Sequence, residues 1–458
     1  MSETAIAHPP HSPFTSRGSP TVPNVVTKHY LAESSVSKPL RETARELRLP
    51  EAYAASYGTV QLDRPLFVPE REIGDFATDL AAVFDILVSL PGRLFDGDLR
   101  RYCAALGMDD RLAELMCRGA TGAPPLYARA DAYHDGTSFK LLELNIGSEL
   151  GGLDTAQLNR AFLARPEFAD FARRHELGHV DTIPRVAAAL RAAALVDEPV
   201  VALIESTNGL AAHAHVFTAL REALRDQGID LLLGEIDELG ERNGHITLRG
   251  RPLDVVLRYF VAGELVDDPA GQEKLDLLIA APKTVLFTPL EGGVHASKGS
   301  LAMLHDPDVR ATFTPDEHAV VDRVVPWTRL LGTAADQDEL VQHCRNERRN
   351  LVLKPGVGYG GVGTVVGHSV TDEQWERALA ERRTGDHVVQ RRVRPRTEPV
   401  LNAETNTGEE WVANWGIFVD PAGYAGGFVR ALKPADGAVV SYSNTGTRGT
   451  CVFTTRTS

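Results

Sequence analysis

The sequence contains little cysteine and no long apolar run. Four cysteines occur in 458 residues, scattered without the spacing of a metal site or a redox motif. We expect reduced thiols, which are typical of a cytoplasmic protein. No uninterrupted apolar run approaches the roughly 20 residues of a membrane span, and the N-terminus has no apolar core behind a basic start. The sequence therefore predicts a cytoplasmic protein that is neither exported nor embedded in a membrane.

Basic residues are in the minority. Lysine and arginine number 48 against 62 aspartates and glutamates, which gives a formal net charge of −14. This balance lacks the basic surface with which nucleic-acid-binding proteins displace counterions. We therefore do not expect nucleic acid as a partner. With 43% hydrophobic and 24% charged residues, the composition is that of an ordinary globular protein.

Patterning along the chain predicts six segments. Residues 1–39 are rich in serine, proline, threonine and histidine and show little apolar periodicity, which is typical of a disordered or peripheral tail. Later segments alternate between helical and strand patterns. In chain order we predict this tail, a mostly helical part that includes one strand (40–195), a parallel-sheet domain (196–295), a helical connector (296–350), a glycine-rich hairpin with the strand after it (351–395) and a C-terminal sheet (396–458).

The helical part contains one long amphipathic stretch and one strand. In "EIGDFATDLAAVFDILVSLPGRLF" apolar residues recur three and four apart, which predicts a helix that Pro91 and Gly92 break. Residues 139–144 show a short, mostly apolar strand pattern that runs into a polar and glycine-rich end. Glu143 and Asn145 lie at that end, two positions apart, so both side chains should leave the strand on the same face.

The segment from residue 199 alternates strands with a helix. "PVVALIES", "GIDLLLGEI" and "PLDVVLRYF" predict apolar strands, and an amphipathic helix ending near Gly228 separates the first two. This order predicts a Rossmann-like parallel sheet with a ligand crevice at the carboxyl ends of its strands. The GxGxxG signature is missing between the first strand and its helix, so nothing favours a nicotinamide cofactor.

The stretch "LVLKPGVGYGGVGTVVG", residues 351–367, contains six glycines and one charged residue, Lys354. A Walker A loop needs Lys-Ser/Thr after its last glycine and then a helix. Here the lysine precedes the glycines and a β-branched strand pattern follows them. A helix with a capping box, Thr371 and Gln374, and a strand in "HVVQRRV" come next. The order predicts a β-hairpin flap and excludes a Walker A loop.

A glycine hairpin can lie closely on a polyphosphate, because no Cβ atoms shield its backbone N–H groups. Gly358, Tyr359, Gly360 and Gly361 would then contact the phosphates, and Lys354 would place an ammonium beside them. An ordinary glycine turn with a solvated lysine fits the same residues. The loop alone leaves both interpretations open.

Three stretches together resemble the ATP-grasp superfamily, in particular its permuted ligases of the eukaryotic glutathione synthetase type, with glutathionylspermidine synthetases as more distant relatives. The first stretch is an E-x-N strand motif followed by Gly-Gly, here residues 143–145 and 151–152. The second is the hairpin with its lysine. The third is "WVANWGIFVDPAGYAGGFVRALKPADGAVVSYSNTGTRG". The resemblance covers residues 139–458.

The resemblance implies an α/β (α+β) ATP-grasp fold with a glycine-rich β-hairpin lid and a Rossmann-like substrate domain. It implies ATP and Mg²⁺ as cofactors. By position the resemblance implies that Glu143 and Asn145 bind the metal ion. It implies ATP contact by Asn145, Lys298, Lys354 and three residues of the hinge strand, Gln390, Arg391 and Val393. It implies substrate contact by Ser148, Asn208, Arg258 and Arg430, and catalytic roles for Lys354 and Arg430.

Each of these roles has a simpler structural alternative. A strand-end glutamate in water beside an asparagine that starts a turn is common. Lysines such as Lys298 and Lys354 usually lie on the surface. Arg258 and Arg430 could present planar forks to a carboxylate or an acyl phosphate, or could form structural ion pairs. His213 and His215 point apart in a predicted helix and make poor joint metal ligands.

The sequence departs from the resembled family in three places. A third metal carboxylate usually follows the lid lysine by four residues, and here that position is Gly358. The run from the E-x-N motif to Gly-Gly is one residue shorter than in glutathione synthetase. A lysine two positions after the late arginine is replaced by Leu432, with Lys433 beside it. These departures argue against glutathione as the product.

The residues and the resemblance predict an ATP-dependent carboxylate-amine ligase that forms an amide or peptide bond through an acyl phosphate. Its partners would be a small-molecule carboxylate and an amine, with an amino acid or a small specialised metabolite as substrate. The alternatives are an ATP-grasp kinase or other phosphoryl transferase, and a nucleotide-binding regulatory protein without turnover, which Gly358 favours. Relatives of this architecture are often dimers, so a homodimer is one option for assembly.

Overall fold

The computed structural model describes residues 24–58, 60–150, 152, 156–194, 196–332, 337–358 and 360–456. Residues 1–23 of the predicted tail, Gly151 of the predicted Gly-Gly pair and Tyr359 of the glycine loop lie outside the described residues. The described part of the chain is a mixed α/β structure with both parallel and antiparallel strand pairs. This confirms the predicted α/β class.

Helices are distributed along the whole described chain. They are α1 (Val25–Val36), α2 (Lys38–Arg41), α3 (Glu51–Tyr57), α4 (Glu70–Phe95), α5 (Leu99–Ala105), α6 (Asp110–Cys117), α7 (Ala156–Leu163), α8 (Pro166–Arg174), α9 (Thr182–Ala194), α10 (Ala214–Arg225), α11 (Ala262–Leu265), α12 (Pro269–Ala280), α13 (Gly292–Ala296), α14 (Lys298–Met303), α15 (Pro307–Arg310), α16 (Pro315–Val324), α17 (Gln337–Asn346) and α18 (Asp372–Glu381). Among these described helices, none combines the length and the apolar character needed to cross a bilayer.

Strands concentrate in the middle and at the C-terminal end. They are β1 (Leu66–Pro69), β2 (Ala128–His134), β3 (Phe139–Ile146), β4 (Val201–Glu205), β5 (Leu232–Glu235), β6 (Leu239–Arg242), β7 (His245–Leu248), β8 (Arg251–Pro252), β9 (Val255–Arg258), β10 (Val285–Leu286), β11 (Thr328–Leu331), β12 (Leu351–Pro355), β13 (Val365–Val366), β14 (His387–Arg391), β15 (Thr397–Leu401), β16 (Gly408–Asp420), β17 (Gly423–Leu432) and β18 (Arg448–Thr455).

The described strands form four sheets. The large sheet has the order β1-β18-β17-β16-β2-β3, with β15 also paired to β16, and only its β1–β18 pair is parallel. The parallel sheet has the order β10-β9-β4-β5, and three of its strands coincide with the apolar runs predicted after residue 199. The antiparallel hairpin sheet is β11-β14-β12-β13, and a small sheet is β6-β7-β8.

Several hydrophobic clusters show which of the described parts pack together. One joins the helical layer to the large and parallel sheets, and it includes Leu87 of α4 together with Trp415 and Val429 of the central strands. The hairpin sheet has a separate cluster that contains Leu353 and Trp375. Leu330 and Val388 of the same sheet pack on Ala302 and Met303 of α14, and polar contacts across the cleft add to this apolar packing.

The prediction of a disordered or peripheral tail up to residue 39 is wrong for its described part. Helix α1 begins after Asn24, whose side chain accepts a hydrogen bond from the Thr27 N–H at 2.7 Å. Tyr30 is 1% exposed, and its ring centroid lies 5.6 Å from that of Phe67 and 5.2 Å from that of Phe171. Only a few apolar residues anchor this helix, so its sequence shows little periodicity although tertiary packing holds it.

The predicted helix break at Pro91 is also wrong, because α4 continues to Phe95. Proline lacks the N–H that would bond to the carbonyl four residues earlier, at Leu87. The imidazole of His295 interacts with the Leu87 backbone at this point. This interaction and the nearby Glu291 carboxylate raise the pKa of His295, but burial outweighs both and lowers it. A side chain distant in sequence thus lies beside the carbonyl that proline leaves without its helical partner.

The elements around the glycine loop largely follow the sequence. β12 and β13 pair antiparallel, with Val352 opposite Val366, and β14 pairs with the other edge of β12. The capping box of Thr371 and Gln374 opens α18 as predicted. Helix α18 ends at Glu381, and the N–H of Gly385 beyond it bonds to the Leu331 carbonyl at 2.9 Å.

The His295 contact predicts a coupling between two distant positions. Replacing His295 with phenylalanine keeps a ring but leaves the Leu87 carbonyl unpaired, which should cost about 1–3 kcal/mol. In a Pro91→Ala background the new N–H can bond to that carbonyl, so the same replacement should cost about 1 kcal/mol less. Urea unfolding of the wild type, both single variants and the double variant measures this difference. Strictly additive effects would contradict the proposed bond.

Candidate functional site

The candidate site is a cavity of about 290 Å³ between the large sheet and the hairpin sheet. Strands β2 and β3, at the edge of the large sheet, border it on one side, and β12 and β14 border it on another. The glycine loop and residues 437–441 also line it. The predicted site residues that line this cavity are Glu143, Asn145, Lys298, Lys354, Gly358, Gly360, Gly361, Gln390, Arg391, Val393 and Arg430.

Glu143 and Asn145 lie on β3 and border the same cavity, as their spacing predicted. The pairing of β3 with β2 places Glu143 opposite Asp131 and Asn145 opposite Arg129. The Asn145 side-chain amide donates to the Arg129 carbonyl at 3.3 Å. A carboxylate and an amide oxygen are therefore held together at one sheet edge.

Lys298 is the first residue of α14, and the Ser297 hydroxyl caps that helix. Its Nζ lies 3.0 Å from Oε2 of Glu143 and donates to the Gly358 carbonyl at 3.1 Å. Its backbone N–H bonds to the Gly356 carbonyl at 2.8 Å. Lys298 thus connects the E-x-N strand to the glycine loop.

Lys354 leaves β12 towards the same edge. Its Nζ donates to Oε1 of Gln390 at 2.7 Å and to the Leu142 carbonyl at 3.3 Å. Burial lowers the pKa of Lys354 to about 8, an effect that Lys298 increases and Glu143 opposes. A lysine whose pKa is lowered by burial in a cleft, beside specific charged neighbours, is a candidate for a binding site.

Arg430, on β17, forms a buried ion pair with Asp131, with Nη2 2.5 Å from Oδ2. Arg129 approaches the other oxygen of Asp131 at 3.1 Å. Burial disfavours the Asp131 carboxylate, but the two guanidinium groups outweigh burial and lower its pKa to about 2. Sequence reasoning missed Arg129 and Asp131, although two charged residues alternate with alanine in "ARADAYH", a strand pattern that points both to one face.

The glycine loop approaches the closing loop of the chain. The Ser441 hydroxyl donates to the Gly360 carbonyl at 3.0 Å. Gly361 has a φ of +77°, and a Cβ at this position would lie 3.0 Å from a methyl of Val439. Glycine is therefore needed at residue 361 both for the backbone conformation and for the close approach.

Three predicted substrate residues do not line this cavity. Ser148 is fully buried, and its hydroxyl bonds to the Arg258 carbonyl and to the Thr288 hydroxyl. Asn208 is exposed beyond β4, where its N–H donates to Glu235 at 2.9 Å. Arg258 is 1% exposed and forms an ion pair with Glu149. The contacts of Arg258 are therefore those of a structural ion pair, the alternative to substrate binding.

A smaller compartment of about 90 Å³ continues from the main cavity. The two share Arg129, Glu143, Asn145, Lys298 and Gly358. Its remaining lining includes Glu149 and the small residues Gly293, Ala296 and Ser297. We call this space the inner compartment.

Among the described residues, no group of three or more His, Cys, Asp or Glu side chains could enclose a metal ion. Glu143 and Asn145 offer oxygen donors but no complete ligand set. Such a partial set suits Mg²⁺, which usually takes one or two protein ligands and completes its shell with phosphate and water.

No protein-family model matches the chain, and no curated protein matches it. Among solved structures, one similar protein is a glutathione synthetase-like effector (GSS30) from Globodera pallida in its apo form. It has a TM-score of 0.56 and 13% identity, and the match covers 93% of this chain and 97% of that one. A "Putative gamma-glutamylcysteine synthetase" from Methylobacillus flagellatus KT has a TM-score of 0.45 and 14% identity, over 85% and 89% of the chains. The first similarity shows a glutathione synthetase-like fold for this chain.

The buried pairing of Asp131 predicts a large loss of stability on its removal. Asp131→Asn leaves two guanidinium groups without their carboxylate, which should cost about 3–5 kcal/mol of unfolding free energy at pH 7. The folded pKa near 2 lies below the ordinary value of about 3.9, so this contribution is present at neutral pH and is lost as the pH falls from about 4 towards 2. Chemical unfolding at several pH values measures it.

The matched control is Asp267→Asn, which removes an ion pair to Arg111 whose side chains are 86% and 63% exposed. It should cost at most about 1 kcal/mol. Equal effects of the two substitutions would contradict the assignment of Asp131 as the central buried charge.

Proposed function

We propose that this chain is an ATP-grasp ligase that uses ATP to join a small-molecule carboxylate to an amine, forming an amide or peptide bond. The observation that carries the proposal is the convergence of Lys298 and Lys354 with Glu143 and Asn145 on one cavity bordered by a glycine hairpin. Two half-buried ammonium groups suit a polyphosphate, and the oxygen donors beside them suit a cation bound to it. The glutathione synthetase-like fold supports the proposal.

In this proposal the phosphates of ATP lie beneath the glycine loop. Gly360 and Gly361 line the cavity without side chains, so their backbone can approach phosphate oxygens closely. Lys354 and Lys298 would neutralise the phosphate charge. The backbone of Gln390, Arg391 and Val393 would receive the adenine, since all three border the same cavity.

Glu143 and Asn145 would hold Mg²⁺ between the sheet edge and the phosphates. The donor set fits, because both side chains supply hard oxygen ligands and border the cavity. When bound, the cation would reduce the negative charge of the transferred phosphate. Lys298 would then exchange its pairing with Glu143 for a phosphate oxygen.

The chemistry is a two-step transfer. An oxygen of the substrate carboxylate attacks the γ-phosphorus of ATP, ADP leaves, and an acyl phosphate forms. The amine then attacks the acyl carbon and inorganic phosphate leaves. The chain's own residues bind and orient the reactants: Arg430 would orient carboxylate or acyl phosphate oxygens, and the hairpin, closing as a lid, would keep water from the acyl phosphate.

The ligase reaction predicts ADP release that depends on both a carboxylate and an amine. With ATP, Mg²⁺ and a panel of amino acids, we expect ADP release to rise when an amine acceptor is added, and hydroxylamine to trap the acyl phosphate as a hydroxamate. ADP release that needs no amine and gives no hydroxamate would indicate a phosphoryl transferase instead. Nucleotide binding without ADP release would indicate a regulatory protein, the alternative that Gly358 favours.

Lys354 tests the phosphate site directly. Lys354→Ala removes one preorganised positive charge and should lower turnover by about two orders of magnitude. The matched control is Lys283→Ala, which truncates an exposed lysine and should leave turnover unchanged. Thermal unfolding of both variants checks that they are folded. A folded Lys354→Ala variant with near-normal ADP release would contradict the assignment.

A further inference from the structure

Arg258 holds its guanidinium in a closed set of contacts. Nε donates to the Thr288 carbonyl at 2.9 Å, Nη1 donates to the Phe260 carbonyl, and Nη2 lies 2.8 Å from Oε2 of Glu149. The side chain is 2% exposed. The one ionic partner of Arg258 among these contacts is therefore a carboxylate that belongs to the chain.

Glu149 is the member of this pair that reaches the inner compartment. Its side chain is 19% exposed and lines that space, whereas Arg258 does not. The backbone leaves room for it: a Cβ on Gly147 would lie 2.5 Å from Oε2 and 2.7 Å from Oε1 of Glu149. Any side chain at residue 147 would displace the Glu149 carboxylate. Glycine at this residue therefore allows Glu149 its position beside Arg258.

The cations that border the inner compartment have partners of their own. Arg129 contacts Asp131 at 3.1 Å and donates to the Leu150 carbonyl. Lys298 pairs with Glu143 at 3.0 Å. Arg129 is thus held by Asp131, and Lys298 is engaged by Glu143 or, in the ligase proposed above, by phosphate. A substrate carboxylate beside Glu149 would therefore meet a negative charge, and like charges at close range are a common source of discrimination.

We propose that Glu149 takes the place of a substrate carboxylate as the ionic partner of Arg258. The inner compartment then accepts a substrate group that donates hydrogen bonds, such as an ammonium or a carboxamide, and rejects a carboxylate at that point. This inference rests on the ligase proposed above and assigns Glu149 as a determinant of its substrate class. The small lining residues Gly293 and Ala296 leave room for the body of such a substrate.

The first test does not depend on turnover. Glu149→Ala leaves Arg258 without its carboxylate and opens space beside it. Sodium acetate should bind there and raise the Tm of Glu149→Ala by about 2 °C relative to sodium chloride at equal ionic strength, with no difference between the salts for the wild type. A double variant that adds Arg258→Met should lose the acetate effect. An equal response of wild type and Glu149→Ala would overturn the proposal.

The second test uses the catalysed reaction and a conservative variant, Glu149→Gln, which keeps the size of the side chain. Amine pairs that differ only in a carboxylate or a carboxamide serve as probes: glycine and glycinamide, alanine and alaninamide, β-alanine and β-alaninamide. The wild type should favour the carboxamide member by about tenfold or more in kcat/KM, and Glu149→Gln should reduce that ratio about tenfold. A wild-type preference for the carboxylate members, or an unchanged ratio in the variant, would overturn the proposal.

The two tests separate this inference from the ligase proposal. If no amine supports ADP release, the ligase proposal fails, and the acetate response alone decides whether Glu149 fills a carboxylate position. If ADP release depends on an amine but acetate does not raise the Tm of Glu149→Ala, the ligase proposal is supported and the proposed role of Glu149 is contradicted.

Discussion

Charge buried away from water is the constraint on which the rest of the structure depends. Asp131 lies between two arginines, Glu143 is paired with Lys298, and Arg258 is paired with Glu149. A buried charge without its partner costs several kcal/mol. The elements that carry these partners must therefore stay within ion-pair distance of one another. The register of β2 on β3, the start of α14 and the ends of β9 and β17 meet this requirement around one cleft.

This constraint also explains the arrangement of the hairpin sheet. Its larger hydrophobic cluster is separate from the main core, and a small apolar contact with α14 is supplemented by polar contacts. Lys298 reaches across from α14 to Glu143 and to the Gly358 carbonyl, and Lys354 reaches from β12 to the Leu142 carbonyl. Lys298 thus connects the glycine loop to β3, and Lys354 connects β12 to β3. A ligand that changed the charge at the cavity would act on the same contacts that hold the loop.

Local patterns predicted the elements that carry the site but not the partners that hold the charges. Glu143, Asn145 and Lys354 were found from strand patterns and from the resemblance, and they do border one cavity. Such patterns report only on neighbours in sequence. His295, which interacts with the Leu87 backbone beside Pro91, lies about 200 residues further along the chain, and Glu149 reaches Arg258 from a distant part of the sequence. Long-range pairs of this kind follow from tertiary packing, which a single sequence does not display. The helix at residues 25–36 was missed for the same reason, since its stability comes from aromatic contacts with distant residues.

Gly358, in place of a carboxylate, affects both the charge of the cavity and the ligands available to a metal ion in the proposed reaction. Its carbonyl, in place of a side-chain carboxylate, accepts a hydrogen bond from Lys298 at 3.1 Å. A carboxylate there would compete with Glu143 for that ammonium and would add a second negative charge to the cavity. Without it, the proposed site would offer magnesium one charged oxygen ligand and one neutral one, and most of the remaining ligands would come from phosphate and water. The cation would therefore arrive with the nucleotide, and the exchange of Lys298 from Glu143 to phosphate would couple binding of both to the position of the glycine loop.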